Sequence, residues 1–272
     1  MSILNKIYEN WTDLMNKYSD PRTSDWLFMS SPFPTIWICI LYVYIVKEVG
    51  PNIMKNRKPF KLKYILILYN LAQVILSFYI FWEGLTICWL WNYNWRCEPV
   101  DFSRSETAMR IARGCYVYYI SKFTEFFDTF FFILRKRFDQ VSTLHVIHHG
   151  IMPFSVWWGV KFIPGGHSTF FGFLNAFVHI VMYLYYMMAA FGPEMQKNLW
   201  WKKYLTILQM IQFVAVGVHS FQLFFHNPCN YPIYFSYFIG AHAVMFFVLF
   251  QIFFRKTYVV KDKKESKKLR SS

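Results

Sequence analysis

Charged residues are scarce in this 272-residue sequence, at 16% of the chain, whereas soluble domains usually carry about 25%. Acidic residues are the scarcer kind, with 15 Asp and Glu against 29 Lys and Arg, so the net charge is +14. No linker, internal repeat or polar domain interrupts the chain, and residues 1–25 lack a continuous apolar core. We therefore expect neither an ordinary soluble domain nor a cleavable signal peptide.

The chain contains long runs without charged residues, and 56% of its residues are hydrophobic. A helix that spans a bilayer needs about 20 mostly apolar residues. Seven segments meet or approach that length: 26–46, 64–82, 108–134, 141–160, 162–193 and the two halves of 204–254, which the turn-forming residues 227–232 separate. The sequence therefore predicts an all-α membrane protein. Its seven transmembrane helices would occupy residues 26–254, between an N-terminal segment (1–25) and a basic tail (255–272).

Basic residues are distributed unevenly between the predicted loops. Lys and Arg accumulate on the cytosolic side of membrane proteins, and assigning successive loops to alternate sides puts most of them on the side of the C-terminal tail. We therefore expect a cytosolic C-terminus and a luminal N-terminus. A nucleic-acid-binding patch would also make a chain basic, but the agreement with the membrane rule argues against a nucleic-acid partner. Residues 268–272 resemble a retrieval signal of the endoplasmic reticulum.

The sequence contains five cysteines. Cys97 and Cys229 both fall in loops assigned to the far, oxidising side, where a disulfide between them is chemically allowed. Two free thiols are the alternative. Cys39, Cys88 and Cys115 lie in predicted helices, so we expect them to be reduced.

Four predicted helices carry polar residues at helical spacing, although ionisable groups inside a bilayer are costly and usually face an interior cavity. Lys122, Glu125 and Asp128 follow one another in steps of three, and they form either a structural ion-pair network or the lining of a pocket. Three histidines open the next helix. Such a cluster can bind a metal, transfer protons or supply a nucleophile, or it can be buried and hydrogen-bonded without chemistry. These histidines are His145, His148 and His149.

Two later helices carry further polar stripes. The first combines an amide and a histidine with residues that more often belong to a core: Asn175, His179, Met182, Tyr183 and Tyr186. We interpret this stripe as functional because of the amide and the histidine. The second is Thr206, Gln209 and Gln212, and glutamines in membrane helices often only join helices together. The other histidines are isolated: His167, expected in a far-side loop, and His219, His226 and His242, expected to be hydrogen-bonded at interior or interfacial positions.

Taken in order, these motifs resemble those of the very-long-chain fatty acid elongases, the 3-ketoacyl-CoA synthases of the endoplasmic reticulum. The four motifs are Lys122-x-x-Glu125-x-x-Asp128-Thr129, His145-x-x-His148-His149, His179-x-x-Met182-Tyr183-x-Tyr185-Tyr186 and Thr206-x-x-Gln209-x-x-Gln212. The resemblance covers about residues 25–260. It implies seven transmembrane helices, six of which form an inverted barrel around a narrow acyl tunnel. It also implies the condensation of a long acyl-CoA with malonyl-CoA, with release of CO₂ and CoA.

The resemblance further implies roles for individual side chains. His148 would be the nucleophile, which takes the acyl group as an acyl-imidazole in a ping-pong reaction. The catalytic group would also contain His145, His149 and His179, which orient groups and handle protons. Asn175 and Gln209 would support the enolate that forms when malonyl-CoA loses CO₂. No cofactor or metal would be required. The other substrate-binding positions would be Lys122, Glu125, Asp128, Met182, Tyr183, Tyr186 and Gln212.

Basic residues at the cytosolic ends of the predicted helices could bind the phosphates of CoA, although ordinary membrane anchoring explains them equally well. They are Arg135, Lys136, Arg137, Lys202, Lys203, Arg255 and Lys256. The expected partners are membrane lipid, acyl-CoA, malonyl-CoA, the reductases and dehydratase of the elongation cycle, and a second copy of the chain. A di-iron desaturase or hydroxylase is the main alternative, but such enzymes carry two or three histidine boxes and this chain has one. A receptor or transporter is the non-enzyme alternative, and it would have no use for a histidine triplet at a helix end.

Overall fold

The computed structural model describes residues 3–259, in which eleven α-helices and no strand occur. The helices are α1 (Ile3–Lys17), α2 (Phe33–Tyr44), α3 (Gly50–Met54), α4 (Lys63–Glu83), α5 (Glu106–Thr124), α6 (Phe126–Leu134), α7 (Thr143–Phe162), α8 (Thr169–Ala190), α9 (Pro193–Lys197), α10 (Lys202–Phe221) and α11 (Ile233–Phe254). Short π-helical segments follow α2, α4 and α11, namely Ile45–Val49, Gly84–Trp89 and Arg255–Val259. The all-α prediction is confirmed for these residues. Most of the predicted basic tail, including 268–272, lies outside the described residues.

Within residues 3–259, five helical stretches are long and apolar enough to cross a membrane. They are Phe33–Met54, Lys63–Trp89, Gly166–Ala190, Lys202–Phe224 and Ile233–Val259. Two of the seven predicted spans are not among them, because charged side chains in α5 and α6, and histidines and a lysine in α7, lower their apolar character. The structure therefore supports a multi-pass helical chain, and the number of seven spans stays a prediction.

Six of the long helices contact one another in a closed order: α4, α8, α10, α11, α7, α5 and again α4. Helix α2 lies outside this ring and packs against α7. The contact between α10 and α11 depends on Gly240, because a Cβ atom there would lie 2.5 Å from the ring of Phe221. We call the end of the ring where α6 ends and α7 begins the near end, and the opposite end the far end.

The first predicted span, 26–46, is wrong at its start. The helix begins only at Phe33, because Pro32 precedes it and Pro34 occupies its first turn, where the missing N–H of proline leaves no bond unmade. The preceding residues form turns instead.

These turns are held at the far end by a buried arginine. The guanidinium of Arg22 donates to the carboxylate of Asp20 at 2.7 Å and to the carbonyl oxygen of Asp101 at 2.8 Å. Both side chains of the ion pair are at most 1% exposed. The N-terminal segment is therefore packed into the far end of the fold rather than extended into solvent at this point.

The third predicted helix, 108–134, is divided at Glu125. The backbone tightens there, since the N–H of Asp128 donates to the carbonyl of Glu125 only three residues earlier, at 3.2 Å. Helix α7 then begins after Ser142, whose hydroxyl accepts the N–H of His145 at 3.2 Å and caps the helix. The first histidine of the triplet therefore lies in the first turn of α7.

A disulfide joins Cys97 to Cys229 and so links the loop before α5 to the loop before α11. The Cα atoms of the two residues are 5.8 Å apart. Cys39, Cys88 and Cys115 carry free thiols. The bond ties together two loops at the far end, the side that the basic residues assign to the oxidising compartment.

We expect a two-step labelling experiment to separate the five cysteines. A first thiol reagent, added to denatured but unreduced protein, should modify Cys39, Cys88 and Cys115 only, because the other two sulfurs are bonded to each other. A second reagent, added after reduction, should modify Cys97 and Cys229, and peptide mass spectrometry reads both labels. Modification of all five thiols by the first reagent would contradict the pairing.

Candidate active site

A buried ion pair lies where α5 meets α6. Lys122 Nζ is 2.5 Å from Glu125 Oε1, and the two side chains are 2% and 3% exposed. The ammonium of Lys122 also donates to Asn175 Oδ1 on α8 at 3.3 Å, and the hydroxyl of Tyr118 donates to the same oxygen at 2.9 Å. Polar groups from two helices therefore compensate charges that apolar surroundings would otherwise reject.

Glu125 also faces two histidines on other helices. His179 Nδ1 on α8 lies 3.4 Å from Glu125 Oε1, and His149 Nδ1 on α7 lies 3.9 Å from Glu125 Oε2. Both Glu125 Oε2 and His149 Nδ1 are buried and lack a hydrogen-bond partner among residues 3–259. Buried polar atoms without partners are rare in proteins, and they often mark a site of chemistry.

Separate hydrogen bonds orient His145 and Asp128. His145 Nε2 pairs with the hydroxyl of Thr129 at 2.7 Å, and the hydroxyl of Tyr42 pairs with the same Thr129 oxygen at 2.8 Å. Tyr183 on α8 donates to Asp128 Oδ2 at 2.7 Å. Because these bonds run between helices, each side chain is held in one orientation relative to the ion pair.

His148 differs from the other three histidines of the cluster. Its ring lies 5.1 Å from that of His149 and 4.9 Å from that of Phe246, measured between centroids. Within the described part of the chain, neither of its ring nitrogens has a hydrogen-bond partner. Unlike the other three, His148 therefore faces neither Glu125 nor Thr129, and its nitrogens remain available to a bound molecule.

An apolar cavity lies beside this cluster and reaches toward the far end. Tyr118 and Phe246, which contact Asn175 and His148, line it, whereas none of the four histidines does. All six ring helices line it, for example with Ile80, Ile111, Val156, Phe173, Phe213 and Phe246. The lining residues of α7 run from Met152 to Val160, a rise of about 12 Å along the helix. The ion pair of Glu83 and Arg110, 2.8 Å apart, lies at the far end of the cavity. The cavity can therefore accept a long apolar chain beside a polar group of histidines.

Other predicted substrate-binding residues lie apart from the histidines. Gln209 Nε2 contacts Met182 Sδ at 3.6 Å and so joins α10 to α8, as expected of a residue that holds helices together. Tyr186 packs on Tyr183 with 6.1 Å between ring centroids. Gln212 is buried, and its Oε1 has no partner among residues 3–259. None of these contacts assigns a role in binding, so those roles remain predictions.

The basic residues predicted to bind CoA lie at the near end. Lys203 at the start of α10 packs on Phe254 at the end of α11, with 5.7 Å from Nζ to the ring centroid. Lys136 donates to a backbone carbonyl after α3 at 3.1 Å, and Arg137 lies 3.5 Å from the exposed Asp139 carboxylate. Lys202, Arg255 and Lys256 are exposed and make no ion pair within residues 3–259, and Arg135 is half-buried.

Sequence reasoning missed two tyrosines of the site. Tyr118 precedes Lys122 by four residues, so the helical period could have indicated that they share a face. Tyr42 lies in an apolar run with no such signal, and only the packing of α2 against α7 brings it to the site.

His167 lies in the connection between α7 and α8 at the far end, as expected, but it is buried there. It is 2% exposed, lies in a 3₁₀ turn, and stacks on His219 with 3.9 Å between ring centroids. The turn replaces the start of the predicted span 162–193, because Gly165 and Gly166 adopt positive φ angles and end the preceding helical path.

Within residues 3–259, no group of three His, Cys, Asp or Glu side chains is arranged to hold a metal ion.

Comparison with known proteins identifies the lineage of this arrangement. Residues 27–266 match the GNS1/SUR4 family. The chain belongs to this family. All four sequence motifs and the buried ion pair fall inside the matched region.

Relatives in the family match most or all of the chain. The chain is 65% identical over 272 residues to "Very long chain fatty acid elongase 7" of Drosophila melanogaster. This match covers 100% of this chain and 83% of that protein. It is 49% identical to "Very long chain fatty acid elongase 7" of Rattus norvegicus, with 93% and 89% covered, and 47% identical to "Very long chain fatty acid elongase 1" of Homo sapiens, with 89% and 87% covered. The resemblance to the elongases is therefore confirmed.

Replacing Glu125 by Gln should lower the thermal stability of the protein in detergent. The change leaves the ammonium of Lys122 buried without its counterion, which costs about 3–5 kcal/mol when a buried pair loses one partner. Thermal unfolding followed by tryptophan fluorescence measures the shift. Glu194→Gln is the matched control, since that carboxylate and its partner Lys197 are 88% and 68% exposed, and we expect no measurable change there. Equal unfolding temperatures for both variants would show that the buried pair is not stabilising.

Proposed function

We propose that this protein is a very-long-chain fatty acid elongase of the endoplasmic reticulum membrane. It condenses a long-chain acyl-CoA with malonyl-CoA and yields 3-ketoacyl-CoA, CO₂ and CoA. The observation that carries the proposal is that the four-histidine cluster lies beside an apolar cavity, with the ring of His148 packed on Phe246 of the cavity lining. The names of the relatives support the same function.

His148 acts as the nucleophile in a ping-pong reaction. One ring nitrogen attacks the thioester carbon, the C–S bond breaks, and the imidazole proton leaves with CoA as its thiol, so that an acyl-imidazole forms. The support is that the ring nitrogens of His148 have no protein partner in the described chain and that its ring contacts Phe246, which lines the cavity. The apolar acyl chain then lies in the cavity, away from water.

Malonyl-CoA enters in the second step. Loss of CO₂ leaves an enolate, whose carbon attacks the acyl carbon; the C–N bond breaks, and the imidazole of His148 takes up a proton. Asn175 is suited to stabilise the enolate, because its Oδ1 is occupied by Lys122 and Tyr118 and its Nδ2 remains to donate. His179 and His149, which both face the Glu125 carboxylate, handle the proton.

The chain spans the membrane seven times, with the six-helix ring as an inverted barrel and α2 set apart. The closed order of helix contacts supports this arrangement. The near end faces the cytosol, where CoA and its esters are found, and the disulfide end faces the lumen. Exposed cations at the near end bind the CoA phosphates. No metal or other cofactor takes part.

Malonyl-CoA-dependent release of labelled CO₂ from microsomes tests the function. Wild-type protein should release CO₂ when a long acyl-CoA is present, and His148→Ala should lose nearly all of this activity, because the proposed carrier of the acyl group is removed. His226→Ala is the matched control: His226 is exposed in the loop after α10, and its removal should leave the rate unchanged. Full activity of the His148 variant would remove the proposed nucleophile.

Acyl-CoA supplied without malonyl-CoA should distinguish the ping-pong reaction from direct transfer. Wild type should release one CoA per protein and gain the mass of one acyl group on the α7 peptide, and His148→Ala should do neither. These two readouts do not depend on the second step.

Removing near-end cations should weaken acyl-CoA binding. We expect Lys202→Ala and Arg255→Ala each to raise KM for acyl-CoA about two- to fivefold, as the loss of an exposed charge contact would, with kcat unchanged. The effect should shrink at high salt, since exposed charges are screened. Arg104→Ala, in the exposed far-end loop before α5, is the control and should not alter KM.

A further inference from the structure

A polar pair interrupts the apolar wall of the cavity between α7 and α11. Ser155 Oγ lies 2.9 Å from His242 Nε2, and both residues line the cavity. His242 Nδ1 lies 2.8 Å from the carbonyl oxygen of Phe238, one turn earlier on α11. The proposed reaction does not use either residue.

The hydrogen positions in this pair follow from its partners. A carbonyl oxygen only accepts, so the proton of the neutral imidazole is on Nδ1 and Nε2 is left as an acceptor. The neutral form is favoured because the pair lies in an apolar wall, and the nearest acidic residue lining the cavity, Glu83, is bound to Arg110. Ser155 must therefore donate its single hydroxyl proton to His242, and its oxygen keeps lone pairs that can accept one more bond.

We propose that Ser155 and His242 form a recognition point for acyl chains that carry a hydroxyl group partway along their length. The inference rests on the proposed elongase function and names a further class of substrate for the same cavity. The chain hydroxyl donates to Ser155 Oγ without disturbing the bond from Ser155 to His242. A saturated chain leaves the pair intact, so it is accepted but gains nothing from it.

The position of the pair defines where the hydroxyl must be. Ser155 follows His148 by seven residues on α7, which corresponds to about 10 Å along the helix axis. Phe246 packs near both sites: its ring lies 4.9 Å from that of His148 and 6.3 Å from that of His242, measured between centroids. A hydroxyl near the thioester would stop short of Ser155, and one at the chain end would pass beyond it. The preference is therefore restricted to a few consecutive carbons.

The same reasoning excludes a keto group at that carbon. A ketone can only accept, and the one proton of Ser155 is already given to His242. An uncompensated carbonyl would then lie in an apolar channel, which is unfavourable. Hydroxyl and keto chains of equal length should consequently differ in kcat/KM, although both are polar.

A bond that merely joins α7 to α11 is the competing explanation. Such a bond would change the stability of the protein, or the rates for all substrates together, but not the ratio between substrates. The test therefore uses the ratio of kcat/KM for a substituted acyl-CoA to that for the saturated acyl-CoA of the same length, measured on the full-length protein in microsomes.

Wild-type protein is assayed with a series of acyl-CoAs whose hydroxyl group is moved one carbon at a time. We expect the ratio to reach a maximum over a few adjacent mid-chain carbons, about fivefold above the ratio at flanking carbons, which corresponds to ~1 kcal/mol for one hydrogen bond. The keto chains of the same series should show no maximum. A flat profile for the hydroxyl chains would overturn the proposal and leave the elongase function standing, whereas no elongation of the saturated chain would overturn both.

Variants then test the side chain directly. Ser155→Ala should abolish the maximum, and Ser155→Thr, which keeps the hydroxyl, should retain it. Ser220→Ala is the control, since this buried serine of α10 does not line the cavity, and the profile should be unchanged. Because each ratio is taken within one variant, reduced folding cancels. A maximum that persists in Ser155→Ala would refute the assignment.

Discussion

Lys122 and Glu125 face each other where their side chains are 2% and 3% exposed. Moving such charges out of water costs several kcal/mol for each ion, and their attraction compensates for this only when further hydrogen bonds complete the pair. Asn175 and His179 supply these contacts from α8. The two buried charges therefore have all their partners only when α5 and α8 lie together. The ion pair is thus compensated only when the ring of helices is closed.

The rest of the site follows from that constraint. The carboxylate of Glu125 faces His179 with one oxygen and His149 with the other, and thereby brings α7 and α8 to the same point. Polar side chains are concentrated beside the ion pair, and the space beyond Phe246 is lined almost entirely by apolar groups. This division suits a reaction between charged and polar groups on a substrate whose remaining part is hydrocarbon. Ser155 and His242 are a local exception, because their polar atoms satisfy each other within the apolar wall.

Several elements were predictable because a local rule connects residue type to position. Steps of three and four along a helix placed Lys122 beside Glu125 and His145 beside His149. The positive-inside rule put Cys97 and Cys229 on one side, where the structure joins them. The rules failed where chain direction depends on distant contacts. The turns before Phe33 are held by Arg22 through carbonyls about 80 residues away. Judged by hydropathy alone, the residues of these turns were predicted to belong to the first span.

By itself, the sequence determined the all-helical class, the apolar runs that suit a membrane, and which polar residues share a helix face, because hydrophobicity and the helical period are properties of neighbouring residues. Only the tertiary structure decided that Tyr42 reaches Thr129, that His167 stacks on His219, and that Ser155 meets His242 in the cavity wall. Each of these contacts joins residues between 52 and 87 positions apart. Which helices become neighbours is set by the packing of the whole ring, and no local pattern in the chain carries that information.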